Sequence, residues 1–186
     1  MNPTNPRRGT FTKVVIDTGP LFTILTLNYV RQTHPTEEKR LSILERADIK
    51  HDVLRSPSRQ HDCLLLFESI PTVLTTSHVI GEIQGRQKKI KAHDRELHGA
   101  DLRSFWLHTM DLLRRKNLDE RLLCLLEMHA RDDSREAVCS IGPTDTGLIE
   151  LARLEGCSIL TDDERTLAKR AWELGIDCQL MKNLID

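Results

Sequence analysis

From Thr144 to Leu180 the chain alternates helical and extended signals at the spacing of repeated βα units, and this alternation restricts the fold more than any other feature. Thr144 to Glu155 carries apolar residues at helical spacing, and CSILT (157–161) is a short apolar run. Asp163 to Leu174 is again helical, and Ile176 to Leu180 again extended. Gly156 and Gly175 stand where helices end on glycine. Strands separated by helices of this length cannot pair as hairpins, so they line up in parallel. The same unit opens the chain. KVVID (13–17) reads as a buried strand, Thr18-Gly19-Pro20 turns, and Leu21, Phe22, Leu25 and Val30 mark a helix. Thr72 to Thr76 supplies another strand. The predicted class is therefore α/β: a three-layer α/β/α stack around a central parallel sheet.

The remaining stretches organise around that frame. Residues 1–12 are polar and proline-bearing and read as a flexible tail, leaving one domain over 13–186. Residues 31–62 are highly charged, and 31–71 reads as a helical insertion, with Leu41, Leu44 and Ile49 on one amphipathic helix and Ser56-Pro57-Ser58 in a loop. A helix begins at Ser77 and carries Glu82. Two more are expected, one through Leu102, Phe105, Trp106, Met110, Leu112 and Leu113, the other from Leu118 to Ala130. They are predicted to form an antiparallel pair turning at Lys116-Asn117.

Composition narrows the function classes. The net charge is −1, from 27 basic and 28 acidic residues, so overall charge does not indicate a strongly basic nucleic-acid binder, although local patches can still hold phosphates. Five cysteines with no CxxC pair argue against a zinc knuckle or disulfide framework and for reduced thiols in a cytoplasmic protein. No apolar run is long enough to span a bilayer, and the N-terminus lacks the apolar segment of a signal peptide. His34, His51 and His61 lack metal-ligand spacing and are read as surface residues.

Four acids fall where a strand hands over to a helix or shortly after: Asp17, Glu82, Asp145 and Asp163. In open α/β sheets the carboxyl ends of the strands form the ligand edge, so these positions can converge. Converged carboxylates repel unless a hard cation such as Mg²⁺ or Mn²⁺ neutralises them. A metal held there lowers the pKa of bound water and stabilises charge on a phosphate. Each acid alone has a simpler reading. Asp17 can cap the next helix, Glu82 can be a solvated helix residue, and Asp145 can complement a helix dipole. Thr161-Asp162-Asp163-Glu164 matches a capping box with Thr161 as cap. Two acids stand apart from these readings by isolation. Asp17 lies in an otherwise uncharged stretch from Val14 to Thr26, and Asp145 in one from Ala137 to Ile149.

VVIDTGPL, the Glu82 helix, GPTDTGLIELA and ILTDDERTLA, in that order from about Lys13 to the C-terminus, together resemble the PIN domain, a family of metal-dependent nucleases. The resemblance implies a PIN-like fold with Asp17, Glu82, Asp145 and Asp163 in one catalytic, metal-binding pocket holding Mg²⁺ or Mn²⁺. Asp162 is then an auxiliary ligand or a helix-start acid. Thr18 and Thr161 match positions where a small hydroxyl residue orients a carboxylate or water. The implied activity is an endoribonuclease, with RNA as substrate. A toxin–antitoxin setting, a small antitoxin-like partner and a homodimer are further implications. Segment 31–71 is longer than a minimal PIN domain needs between its first two motifs.

Arg86, Lys88, Lys89 and Lys91 follow Glu82 and are read as RNA-backbone contacts beside the acids; Arg114-Arg115-Lys116 forms a second basic run. Two competing functions remain. A phosphatase with Asp17 as nucleophile needs a second acid two residues later, where Gly19 stands. A non-catalytic PIN-like binding or scaffold module has no structural need for all four acids.

Overall fold

The computed structural model describes residues 11–47, 49, 56–93, 99–123 and 139–185, with the backbone alone at 88–93 and 99–101. Strands β1 (Lys13–Ile16), β2 (Thr72–Thr76), β3 (Asp119–Arg121), β4 (Ser158–Thr161) and β5 (Cys178–Leu180) form one sheet in the order β3-β2-β1-β4-β5, every pairing parallel. In the central register Val14 stands between Val73 and Ser158, and Val15 between Leu74 and Ile159. Val14, Val15, Ile16, Val73 and Ile159 are fully buried, as apolar strands covered on both faces must be.

Connections from β1 outward to β3 and those from β3 back across to β5 run in opposite directions. Right-handed crossovers then place their helices on opposite faces, an arrangement consistent with three α/β/α layers. The strand order reverses between β1 and β4. That reversal opens a crevice at their carboxyl ends, where Asp17 and Asp162-Asp163 follow directly.

Helix α1 (Thr18–Thr33) is buried on all sides from Pro20 to Val30. Its polar residues fit there because Thr23, Thr26 and Thr33 donate to the carbonyls of Gly19, Phe22 and Tyr29 at 3.0, 2.8 and 2.7 Å. Helices α2 (Glu37–Arg46) and α3 (Pro57–Ser69) cover α1 with Ile43, Leu44, Cys63 and Phe67, so segment 31–71 contributes directly to the core. Helix α4 (Ser77–His93) leaves β2, and α5 (Gly99–Lys116) packs on α1. Helix α6 (Pro143–Glu155) lies against β1, β2 and β4. A π-helical turn (Glu164–Ala168) runs into α7 (Lys169–Glu173) before β5.

The glycine stops occur as expected. Gly156 and Gly175 have φ of 60° and 73°. Asn117 does the same for α5 at φ 53°, with its N–H bonded to Arg114 O at 3.1 Å and Leu118 N–H to Leu113 O at 3.0 Å, a Schellman closure.

Four expectations are corrected. Pro57 and Ser58 do not form a loop but open α3, with Ser56 as its cap, and Ile49 lies beyond the end of α2 although it is buried. The helix predicted from Leu118 begins instead as strand β3, because Asp119, Glu120 and Arg121 pair with Leu74, Thr75 and Thr76 and satisfy the open edge of β2. The rest of that predicted helix, 124–130, lies outside the described residues, as does most of the predicted tail. Thr161 does not cap the helix after β4. It ends the strand, and Asp163 is the cap, accepting from Arg165 N–H at 3.0 Å and Thr166 N–H at 2.9 Å.

No helix among the described residues is long and apolar enough to cross a membrane.

Candidate active site

Asp17 is placed by two elements at once. Its N–H continues the sheet ladder to Leu160 O at 2.9 Å, and its side chain caps α1 by accepting from Thr18 N–H at 2.5 Å. The other carboxylate oxygen accepts from the Thr161 hydroxyl at 2.6 Å, tying the ends of β1 and β4 together. Burial raises the Asp17 pKa and the charge of Glu82 adds to that. The Thr161 and Thr18 hydrogen bonds and the Arg86 charge act in the opposite direction, and the net effect is a raised value.

Glu82 projects from the second turn of α4 and, although exposed, is held at both oxygens. Thr18 Oγ1 donates to Oε2 at 2.8 Å, and Thr144 Oγ1 donates to Oε1 at 2.6 Å. Thr161 also accepts from Asp163 N–H at 2.9 Å, so one threonine positions two acids.

Asp145 occupies the first turn of α6, whose N-terminal dipole favours a negative charge. Burial is nevertheless the strongest influence, and Asp17, Asp163 and Glu82 repel the charge further. Together they push Asp145 up to about 7. A carboxyl that feels all three other acids shares their neighbourhood, so the structure brings the four residues to one sheet edge. Asp162 lies beside α1, its Oδ2 3.9 Å from where a side chain on Gly19 would begin.

Arg86 follows Glu82 by one helical turn. Its guanidinium lies 6.0 Å from the centroid of the Phe22 ring, and its charge reaches Asp17. It is thus a cation beside the acids. The side chains of Lys88, Lys89 and Lys91 lie outside the described residues. In the second basic run, Lys116 is engaged structurally. It donates to Glu68 O at 2.9 Å and lies over Phe67, with burial lowering its pKa.

The sequence does not mark Thr144 as a site residue. The motif PTDTG contains two threonines, and only three-dimensional placement distinguishes them: Thr146 donates back to Gly142 O at 2.7 Å, while Thr144 turns to Glu82.

The donor set suits a hard divalent cation. Asp17 keeps one lone pair on each oxygen, and Asp163 keeps Oδ2. Among the described residues, no three potential ligands form a ready-made cluster for one ion. Hydrogen bonds hold Asp17, Glu82 and Asp163 separately, so direct ligation by one or two carboxylates with the rest acting through water suits this arrangement better than an all-protein cage.

Compared with known proteins, the chain matches no family model, no curated protein and no solved structure.

Proposed function

We propose that this chain is a metal-dependent endoribonuclease, as its PIN-like motifs imply, with Asp17, Glu82, Asp145 and Asp163 as the acidic centre. The observation that carries this reading is the convergence of acids from four separate chain segments on the crevice between β1 and β4, where Asp145 is raised to about 7 by burial and the other three. Neighbouring carboxylates of one sign are unfavourable for stability and favourable for cation binding. Mg²⁺ or Mn²⁺ bound there would supply Lewis-acid stabilisation of phosphate charge and a water of lowered pKa.

The residues divide that work. Asp17 and Asp145 offer carboxylate ligands at the strand and helix ends. Thr18 and Thr144 fix the orientation of Glu82, and Thr161 fixes Asp17. Arg86 offers a charge-assisted donor to a backbone phosphate next to acids that would otherwise repel it. A protein partner covering this edge, as in the toxin setting, would hold the activity in check.

Purified protein incubated with single-stranded RNA and Mn²⁺ should cleave internally. Asp17→Asn and Asp145→Asn should each lose at least about a hundredfold in rate, the scale of removing a principal charge-stabilising group. Cleavage unchanged in both variants would refute the assigned site. No cleavage of RNA or DNA, together with no metal binding by calorimetry, would favour the binding-module reading.

A further inference from the structure

The opposite half of α1 borders a second hollow, apolar on one side and basic on the other. A cavity of about 150 Å³ is lined by Arg31, Arg40, Gln60 and His61, with Leu27 and Pro57 among its other walls and no acid in its lining. An adjoining hollow of about 270 Å³ shares Arg31 and His61 and adds Arg115 together with one acid, Glu68. Among the described residues, Arg31, Arg40 and Arg115 form no ion pair with a carboxylate.

Helix dipoles explain two of these arginines. Arg31 and Arg115 sit in the last turns of α1 and α5, where cations are favoured. Arg40 has no such explanation. It stands near the start of α2, where the dipole disfavours a cation, and its Nε is buried with no hydrogen-bond partner. A buried unpartnered donor on a charged group is unfavourable unless a ligand completes it. Arg31 Nη1 lies 3.3 Å from His61 Nδ1. Arginine can only donate, so His61 accepts at Nδ1 and carries its ring proton on Nε2, a further donor. Pro57 and Gln60 belong to the first turn of the 13-residue helix α3, whose positive end adds to the same field.

We infer that the Arg31–Arg40–His61 hollow binds one phosphate group, separately from the acid edge. Bidentate guanidinium donors match phosphate oxygens. The phosphate has two sources, a small phosphomonoester or a nucleic-acid chain. Arg31 lies thirteen positions after Thr18 on α1, about 20 Å at helical rise, so a chain reaching both sites must span that length.

Calorimetry in EDTA, with inorganic phosphate and with a single-stranded oligonucleotide bearing no terminal phosphate as probes, tests this inference and does not depend on nuclease activity. Phosphate should bind the wild type, bind Arg40→Met and Arg31→Gln at least about tenfold more weakly, and bind Asp17→Asn unchanged. An oligonucleotide affinity that also falls in Arg40→Met identifies a nucleic-acid source; one that does not fall identifies a small phosphomonoester. Circular dichroism and thermal melting establish that Arg40→Met is folded, and exposed Arg31 supplies the second reading if it is not. No phosphate binding at millimolar concentration, or equal binding by wild type and folded variants, would overturn the inference.

Discussion

Replacing Asp145 by asparagine should make the metal-free protein more stable at alkaline pH, although it removes a proposed ligand. Burial and three neighbouring acids raise the Asp145 pKa from 3.8 to about 7. The unfolded chain has no such neighbourhood, so its carboxyl ionises first as pH rises. Between the two values the unfolded state binds fewer protons than the folded state, and stability falls with pH; above the folded value the loss is complete. The full difference corresponds to at most roughly 4 kcal/mol, and partial exposure of the carboxyl reduces the expected figure to about 2 kcal/mol. Asparagine cannot ionise and escapes the penalty. Urea denaturation in EDTA should therefore find Asp145→Asn more stable by about 2 kcal/mol near pH ~8, shrinking to about 0.5 kcal/mol near pH ~4.5. A variant no more stable than wild type near pH ~8, or a difference independent of pH, would refute the claim that the four acids repel one another across one site.

Three other outcomes follow from the same geometry. Adding Mn²⁺ should reverse the penalty in wild type, stabilising it by about 2.7 kcal/mol at a hundredfold excess over the dissociation constant, with a much smaller gain in Asp145→Asn by thermal melting. Thr144→Val should free one oxygen of Glu82 and lower RNA cleavage about tenfold while changing stability by less than about 1 kcal/mol, so kcat and melting temperature should separate. Gly19→Ala should stabilise by about 0.5–1 kcal/mol, because its new methyl would meet Asp162 at an ordinary 3.7 Å, whereas Gly156→Ala, at φ 60°, should destabilise by about 1 kcal/mol; denaturant midpoints report both signs.

The centre of the sheet was legible because β1, β2 and β4 are short apolar runs rich in β-branched residues. VVI and VLTT read as strands buried on both faces, the pattern of a parallel sheet covered by helices. Asp17 and Asp163 were legible for the same reason, since a residue directly after such a strand must lie on the ligand edge. Strand β3 was not legible. The local pattern in LDERLL favours a helix, and the open edge of β2, which decides otherwise, is more than 40 residues away in sequence. The clamp on Glu82 was half legible. Thr18 follows a motif aspartate, but Thr144 and Thr146 are equivalent until α4 and α6 pack together. Spacing points to Thr161 as the cap after β4, whereas its hydroxyl is committed to Asp17.

The most direct measurement of the central claim is diffraction from crystals soaked in Mn²⁺, read at a wavelength where manganese scatters anomalously. The account predicts an anomalous peak in the crevice between β1 and β4, with Asp17 or Asp145 as a direct ligand and the remaining acids reaching it through water. Crystals in which Mn²⁺ at saturating concentration gives no peak there, with the four side chains unmoved, would contradict it.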